Sequence, residues 1–545
     1  MSLTAAEDDV ARPGPLPDRA PATRPRAFSQ LRARLPADPA LSWVATLLVT
    51  AVAALVRLWG IGFPDRATYG YVFDETYYAP EAREQLRNGG YENNPGYMFI
   101  VHPPLGKWFM AAGEWLFTDH LHWPPEYGYR IPSAIAGTLA VLILVRLTRR
   151  MTRSTLLGCV AGLLLALDGL SVVQSRLALL DIYLQTLVIA AFACLVVDRD
   201  RVRARLADAV DAGAVRALGP RLGLRPWRLA AGALLGLACA VKWSPVYFAA
   251  GFLVLGVLWD RAARRSAGAR RSTLGATLRD LPGSAAALLV LPALTYLATW
   301  TGWLLSENGY NRHWADSNPA QWGSMRLLHA GGGFPFVHLR LEPSRWPILP
   351  GALRSLLQYH GAALHFHNSL SSPHPYQSVP WSWLVLGRPV SYYYPGGEQT
   401  PRGCGAATCV REILAIGTPA LWWAFVPALL WMVWLLVSRR DWRAGAVLVA
   451  FAAGWLTWML NLKRTMFLFY MVPVVPFCII AVTLALGEAL GPPWAGESRR
   501  LWGRVAVCGY LALVVMDFVW MHPLLVGSML TYDQWHARIW FPSWI

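Results

Sequence analysis

Two adjacent carboxylates stand in the polar stretch that follows the first hydrophobic run of the chain. Asp74 and Glu75 lie in Tyr71-Val-Phe-Asp-Glu-Thr-Tyr-Tyr78, and Lys107 ends the later motif His102-Pro-Pro-Leu-Gly-Lys107. A carboxylate can take the proton of a hydroxyl group, and a lysine can hold a phosphate as a compact positive charge. At the outer mouth of a membrane protein, this combination would favour a transferase that moves a sugar from a lipid-phosphate donor.

The two carboxylates are expected to have different roles. Neighbouring residues do not share one face of a helix or a strand, so Asp74 and Glu75 do not clamp a single substrate atom. We expect one of them to act as the base and the other to orient a loop or a lysine. The alternative is a solvated acidic loop without a chemical role.

Four cations are candidates for holding the donor phosphate, because each lies at the predicted outer end of a hydrophobic span: Lys107, Arg130, Arg176 and Lys242. A sugar that leaves from a phosphate needs cations to hold the departing anion and a base for the acceptor hydroxyl. Arg130 and Arg176 could instead be helix-end arginines that reach the interface. Lys242 stands beside Trp243 and could be an interfacial anchor.

Aromatic and imidazole side chains are candidates for a donor or acceptor groove: Tyr77, Tyr78, His102, His367, His374, Tyr376 and Trp381. His365 and His367 form a His-x-His pair that invites a zinc interpretation. Because no cysteine or acidic ligand accompanies them, we expect a packed histidine cluster and no metal. Cys404 and Cys409 lie in a polar outer loop, where oxidising conditions permit a disulfide.

The composition places these residues in a polytopic helical membrane protein. Of 545 residues, 55% are hydrophobic and 15% charged, whereas soluble domains carry nearer a quarter charged residues. Repeated apolar runs approach the length that crosses a bilayer. The net charge of +17 would suggest nucleic acid in a soluble protein, but its arginines gather in alternate loops. The charge therefore indicates topology and contact with anionic membrane lipids, and no nucleic-acid partner.

The arginine bias predicts a topology with about eleven transmembrane helices, the N-terminus in the cytoplasm and the C-terminus outside. Residues 1–40 are rich in Pro, Arg and Ala and are expected to form a disordered cytoplasmic tail. Residues 41–545 form the membrane domain, with long outer loops at 64–127 and 306–416. The active site is then expected on the outer face of the membrane.

An ordered set of motifs resembles the bacterial, polyprenyl-phosphate-mannose-dependent branch of the protein O-mannosyltransferase family. The motifs are Phe73-Asp-Glu-Thr-Tyr-Tyr78, His102-Pro-Pro-Leu-Gly-Lys107, Tyr129-Arg-Ile-Pro-Ser133, Gln174-Ser-Arg-Leu-Ala-Leu-Leu-Asp181, Ala240-Val-Lys-Trp243, and Arg464 with Tyr470 and Pro473. Each motif alone is weak, but together they cover nearly the whole chain from the first span onward.

The resemblance implies an all-α GT-C glycosyltransferase fold in the bacterial plasma membrane, with Asp74 at the position of the family's catalytic acidic residue. It implies inverting transfer of mannose from polyprenyl-phosphate mannose to Ser/Thr hydroxyls of exported proteins near the Sec translocon, with no required cofactor. A lipid or glycan acceptor is the close alternative. A transporter or flippase is disfavoured, because the functional charges gather at one membrane face and no internal repeat is visible.

Overall fold

The computed structural model describes residues 38–90, 101–321, 343–396, 401–492 and 494–545. Within these residues the fold is a bundle of helices, most of which are long and apolar. The expected disordered tail, residues 1–40, lies almost entirely outside the described residues. Parts of both expected outer loops also lie outside them, namely residues 91–100, 322–342 and 397–400.

Eight of the described helices are long and apolar enough to cross a membrane. They are α1 (Ala40–Leu58), α5 (Pro125–Thr152), α8 (Asp181–Asp211), α10 (Pro245–Ser266), α11 (Ser272–Ala298), α15 (Pro419–Arg439), α16 (Trp442–Leu460) and α18 (Glu497–Val526). Several of them begin with a proline in the first turn, including α5, α10 and α15. A proline suits this position, because the first amide groups of a helix have no partner within it.

A bent helix pair adds a ninth candidate span. It consists of α6 (Thr155–Ala166) and α7 (Gly169–Arg176), whose axes differ by 60°. Two shorter apolar helices, α9 (Pro226–Cys239) and α17 (Val475–Leu490), occupy the positions of two further expected spans. The described chain is therefore a membrane protein with at least eight apolar spans, while the count of eleven and the orientation of the termini stay predictions.

The bend between α6 and α7 is held by polar side chains. Asp168 accepts a hydrogen bond from the amide of Ser171 at 2.9 Å and another from the indole of Trp422 at 2.6 Å. Arg57 of α1, which is fully buried, donates to the carbonyl groups of Leu165 and Ala166 at the end of α6. These bonds satisfy backbone groups that a broken helix would otherwise leave without partners inside the bundle.

The remaining described elements cap one end of the bundle. The helices are α2 (Arg66–Tyr69), α3 (Glu75–Arg87), α4 (Leu105–Gly113), α12 (Thr301–Leu305), α13 (Gly351–Ser369), α14 (Pro380–Trp383) and α19 (Tyr532–His536). Strand β1 (Val390–Tyr393) pairs antiparallel with β3 (Ile413–Ala415), and β2 (Cys409–Val410) pairs antiparallel with β4 (Leu530–Thr531). The expected helical fold is therefore confirmed in its main part, and two small two-stranded sheets accompany the helices. Cys404 forms a disulfide with Cys409, the first residue of β2, as predicted.

Candidate functional site

A cavity of about 650 Å³ opens at the end of the bundle where α8 and α10 begin and α16 ends. Four charged side chains line it: Asp74, Asp181, Lys242 and Arg464. Aromatic and histidine side chains supply much of the remaining wall, including Tyr77, Tyr78, His102, Trp243, His367, His374, Trp458 and Tyr470. The volume falls within the range of about 300–1,000 Å³ that is usual for small-molecule sites.

Asp74 faces the cavity because the chain turns sharply just before it. Phe73 has a φ of +51°, a conformation that bulky residues rarely adopt. Its ring stacks on Tyr392 with centroids 4.1 Å apart and contacts Phe469 edge-on at 5.8 Å. These ring contacts hold the turn, and α3 begins immediately after Asp74.

The surroundings of Asp74 make it a stronger base than an ordinary aspartate. Burial raises the pKa of Asp74 to about 6. The Asp181 carboxylate also raises this pKa, whereas the Lys242 ammonium and a hydrogen bond from Tyr78 lower it. The Tyr78 hydroxyl donates that bond to Asp74 Oδ2 at 3.3 Å. A base whose pKa lies near the working pH is well matched to proton transfer. The alternative of a solvated acidic loop does not describe Asp74.

Lys242 and Asp181 form an ion pair in the cavity wall. The Lys242 Nζ atom lies 2.7 Å from Asp181 Oδ2. Asp181 stands in the first turn of α8, and Lys242 lies between α9 and α10. The pair thus fixes a cation on the same cavity surface as Asp74, and Lys242 retains the placement that a phosphate-binding role requires.

Arg464 is the second cation of the cavity wall. Its Nε donates to the backbone carbonyl of His367 at 3.0 Å, and one terminal nitrogen donates to the Tyr470 hydroxyl at 3.3 Å. Its guanidinium also lies over the rings of Trp458 and Tyr470. A guanidinium held in this way presents a preoriented donor set to a phosphate.

The cavity histidines are neutral at physiological pH. Burial lowers the pKa of His102 well below its usual value, and the Lys242 charge lowers it further. Burial also lowers the pKa of His367 to about 4, although a hydrogen bond with the carbonyl of Val101 opposes this change. Among the described residues of the cavity wall, positive charge therefore comes from Lys242 and Arg464. No group of three or more metal-ligating side chains occurs among the described residues.

Glu75 does not line the cavity and instead takes part in a buried network of hydrogen bonds. It is fully buried and accepts hydrogen bonds from Arg130 Nε at 2.7 Å and from a terminal nitrogen of Arg130 at 2.8 Å. It also accepts hydrogen bonds from the backbone amides of Ala178 and Val72. The two carboxylates therefore have different surroundings, and the side-chain partner of Glu75 is an arginine rather than a lysine. The role of Asp74 as the base stays a prediction.

The other three predicted phosphate-holding cations do not line the cavity. Arg130 binds Glu75 and the carbonyl groups of Ile61 and Pro64. Arg176 donates to four backbone carbonyls at and just after the end of α1, those of Val56, Arg57, Trp59 and Gly60. Lys107 is fully buried and forms an ion pair with Glu81 at 2.8 Å. Arg130 ties the outer segment to α5, Arg176 joins α7 to the end of α1, and Lys107 joins α4 to α3. We therefore do not include these cations in the proposed phosphate site.

Some of the predicted groove residues line the cavity and others do not. Tyr77, Tyr78, His102, His367 and His374 line the cavity, whereas Tyr376 and Trp381 do not. Tyr376 packs beneath the guanidinium of Arg388, and Trp381 is exposed.

Sequence reasoning did not single out Asp181 and Arg464 as site residues. Each belongs to one of the motifs given above, and each is an ionisable residue at the predicted outer end of a span, as the four predicted phosphate-holding cations are. That signal could have found both residues. Their contacts with Lys242 and Tyr470 could not be read from the sequence.

Comparison with known proteins identifies relatives over nearly the whole chain. The family model described as dolichyl-phosphate-mannose-protein mannosyltransferase matches residues 47–302, and that of the C-terminal four TMM region of protein-O-mannosyltransferase matches residues 352–544. A polyprenol-phosphate-mannose–protein mannosyltransferase of Mycolicibacterium smegmatis (strain MKD8) is 40% identical, over 99% of this chain and 100% of the relative. A protein of the same description from Mycobacterium tuberculosis (strain H37Rv) is 42% identical, over 93% of each chain.

A solved structure shares the fold. The Saccharomyces cerevisiae protein O-mannosyltransferase Pmt1-Pmt2 complex bound to the sugar donor aligns with a TM-score of 0.68 at 16% identity. The alignment covers 95% of this chain and 94% of the yeast chain. At this level of sequence identity, the similarity indicates a shared fold and nothing further.

Proposed function

This chain belongs to the dolichyl-phosphate-mannose-protein mannosyltransferase family, and from that premise we propose how its cavity performs the transfer. The enzyme is a polyprenyl-phosphate-mannose–protein mannosyltransferase. It moves mannose from polyprenyl-phosphate mannose to Ser/Thr hydroxyls of exported proteins with inversion at the anomeric carbon. The observation that carries the mechanism is the shared cavity wall of Asp74, Lys242 and Arg464.

Asp74 is the base. As the acceptor hydroxyl oxygen attacks the anomeric carbon, its proton passes to the Asp74 carboxylate. The bond between the anomeric carbon and the phosphate oxygen breaks, and its electron pair leaves with polyprenyl phosphate. Because this leaving group is a stable anion, no general acid is needed, and attack from the face opposite the phosphate inverts the configuration.

Lys242 and Arg464 hold the donor phosphate. Their positive charges stabilise the anion that develops as the sugar departs. Asp181 keeps the Lys242 ammonium in place through their ion pair, and the neutral His102 and His367 offer hydrogen bonds without adding charge. Glu75 supports the mechanism indirectly, because its bonds to Arg130 and Ala178 fix the start of α3 next to Asp74.

The apolar spans support a cavity at the membrane surface, where the polyprenyl tail stays in the bilayer. We assign the cavity to the outer face of a bacterial plasma membrane and retain eleven spans with the N-terminus in the cytoplasm. Exported polypeptides near the Sec translocon are the acceptors. The aromatic wall, with Tyr77 and Trp243, suits a sugar or an extended peptide.

One incubation tests the acceptor class. Purified protein receives polyprenyl-phosphate mannose labelled in the sugar, a Ser/Thr-rich peptide and a matched peptide in which Ala replaces every Ser and Thr. Label is expected in the first peptide only. Label that enters glycolipid and neither peptide would reject the protein acceptor and favour a transferase acting on lipid or glycan.

A further inference from the structure

A second charged cavity lies at the opposite end of the same helices. It has a volume of about 480 Å³ and is lined by Arg150, Arg153, Arg199, Arg203, Arg439, Arg440 and Arg443, together with Met151, Thr152, Asp200, Asp441 and Trp442. Asp181 of the first cavity and Arg199 of the second both belong to α8. Their separation of eighteen residues corresponds to about 27 Å at ~1.5 Å per residue, close to the ~30 Å of a bilayer core.

Among the described residues that line this second cavity, positive charge exceeds negative charge. Arg150 and Arg199 share Asp200, and Arg443 pairs with Asp441. Arg439 pairs with Glu488 at 2.9 Å. Among the described residues, seven arginines and two carboxylates line the cavity, and Glu488 pairs with Arg439 from outside it. The arginine excess at this end fits the ordinary topology bias, but that bias alone does not require guanidinium groups to surround one concave space.

Two of the arginines hold unusual backbone positions at the rim. Arg153 ends α5 with a φ of +60°, and Arg440 ends the helix that precedes α16 with a φ of +52°. Residues other than glycine are uncommon in this left-handed region. Both side chains are exposed, so they are accessible to a ligand that enters the cavity.

Apolar side chains beside the cavity favour a lipid as the source of its ligand. Trp442 lines the cavity, and the guanidinium of Arg199 lies 3.6 Å from the centre of its ring. Val437, one turn before Arg440, is 76% exposed on a helix that is long and apolar enough to span the bilayer. Tryptophan is enriched at membrane–water interfaces. A headgroup in the cavity could therefore keep its acyl chains in the bilayer.

We propose that this cavity binds the phosphate of an anionic lipid headgroup at the membrane face opposite the transfer site. Basic cavities between membrane helices are suited to phosphate-bearing headgroups, since each arginine near the ligand contributes a charge-assisted contact. The site is separate from the donor site, because none of the residues lining one cavity lines the other.

The test uses the purified full-length protein in a neutral detergent. Native mass spectrometry measures the binding of phosphatidylglycerol, with zwitterionic phosphatidylcholine as the lipid control and inorganic phosphate as the soluble-anion control. The test variant is R153N/R440N, because asparagine tolerates the left-handed backbone region. The matched variant is R270N/R271N, which removes two exposed arginines that follow α10 at the same end of the bundle.

Phosphatidylglycerol is expected to bind the wild-type protein and R270N/R271N alike. Its binding to R153N/R440N should be about thirtyfold weaker, which corresponds to about 2 kcal/mol. Unchanged unfolding temperatures would show that both variants fold. Equal losses of phosphatidylglycerol binding in the two variants, or no loss in R153N/R440N, would contradict the proposed binding site. Displacement of the lipid by equimolar inorganic phosphate would contradict the proposal that the ligand of the cavity is a lipid.

Discussion

Glu75 accepts both hydrogen bonds of the Arg130 guanidinium fork, and both side chains are completely buried. Asp74, the preceding residue, lines the cavity with Lys242 instead. Two neighbouring carboxylates therefore have different surroundings, one inside the outer segment and the other in the wall of the cavity where we propose that transfer occurs.

Glu75→Gln is expected to lower the free energy of unfolding by about 3–5 kcal/mol, because it leaves the Arg130 charge buried without its partner. Thermal unfolding in detergent measures this change. The double variant Glu75→Leu with Arg130→Met removes both charges and should recover part of the lost stability. A Glu75→Gln protein with wild-type stability and no turnover would instead give Glu75 a direct role in the reaction.

Lys242→Ala is expected to raise the KM for the polyprenyl-phosphate donor more than it changes the KM for the peptide. The substitution removes one of the two cations of the cavity wall and leaves Asp181 without its ion-pair partner. Lys463→Ala is the matched control, since Lys463 is exposed and does not line the cavity. Steady-state kinetics with each substrate varied separately measures the difference. An unchanged donor KM in Lys242→Ala would contradict the proposed phosphate contact.

The rate of transfer should depend on pH through Asp74. Burial raises the pKa of Asp74 to about 6, and the base acts only as the carboxylate. The value of kcat/KM should therefore fall by about tenfold per pH unit below pH 6 and level off above pH 7. The pKa values of His102 and His367 are lowered, so their protonation does not produce this inflection. A profile that stays flat down to pH 4.5 would contradict the assignment.

Much of the site follows from the sequence, because its chemistry depends on residue type and on the end of a span at which a residue stands. Asp74 and Lys242 are predicted from these two properties and His102 and His367 from their side-chain type, and all four line the cavity. The apolar spans were predicted equally directly, since a bilayer imposes length and composition on a helix.

The partners of the charged residues could not be predicted in this way. Arg130, Arg176 and Lys107 have the residue type and the location of phosphate binders, but bind Glu75, backbone carbonyls and Glu81 instead. Which buried group an arginine meets depends on helix packing over long separations in the chain. The same holds for Asp168 and Trp422, whose hydrogen bond crosses 254 residues of sequence.

The most direct test of the mechanism compares Asp74→Asn with Asp65→Asn. Asp65 belongs to the same outer segment and caps α2 through the amide of Thr68, but it does not line the cavity. Single-turnover transfer of labelled mannose to the peptide is measured with saturating donor, alongside donor binding. Asp74→Asn should bind the donor like the wild-type protein and transfer mannose about 10²–10⁴-fold more slowly, while Asp65→Asn stays near the wild-type rate. Transfer by Asp74→Asn at the wild-type rate would contradict the account.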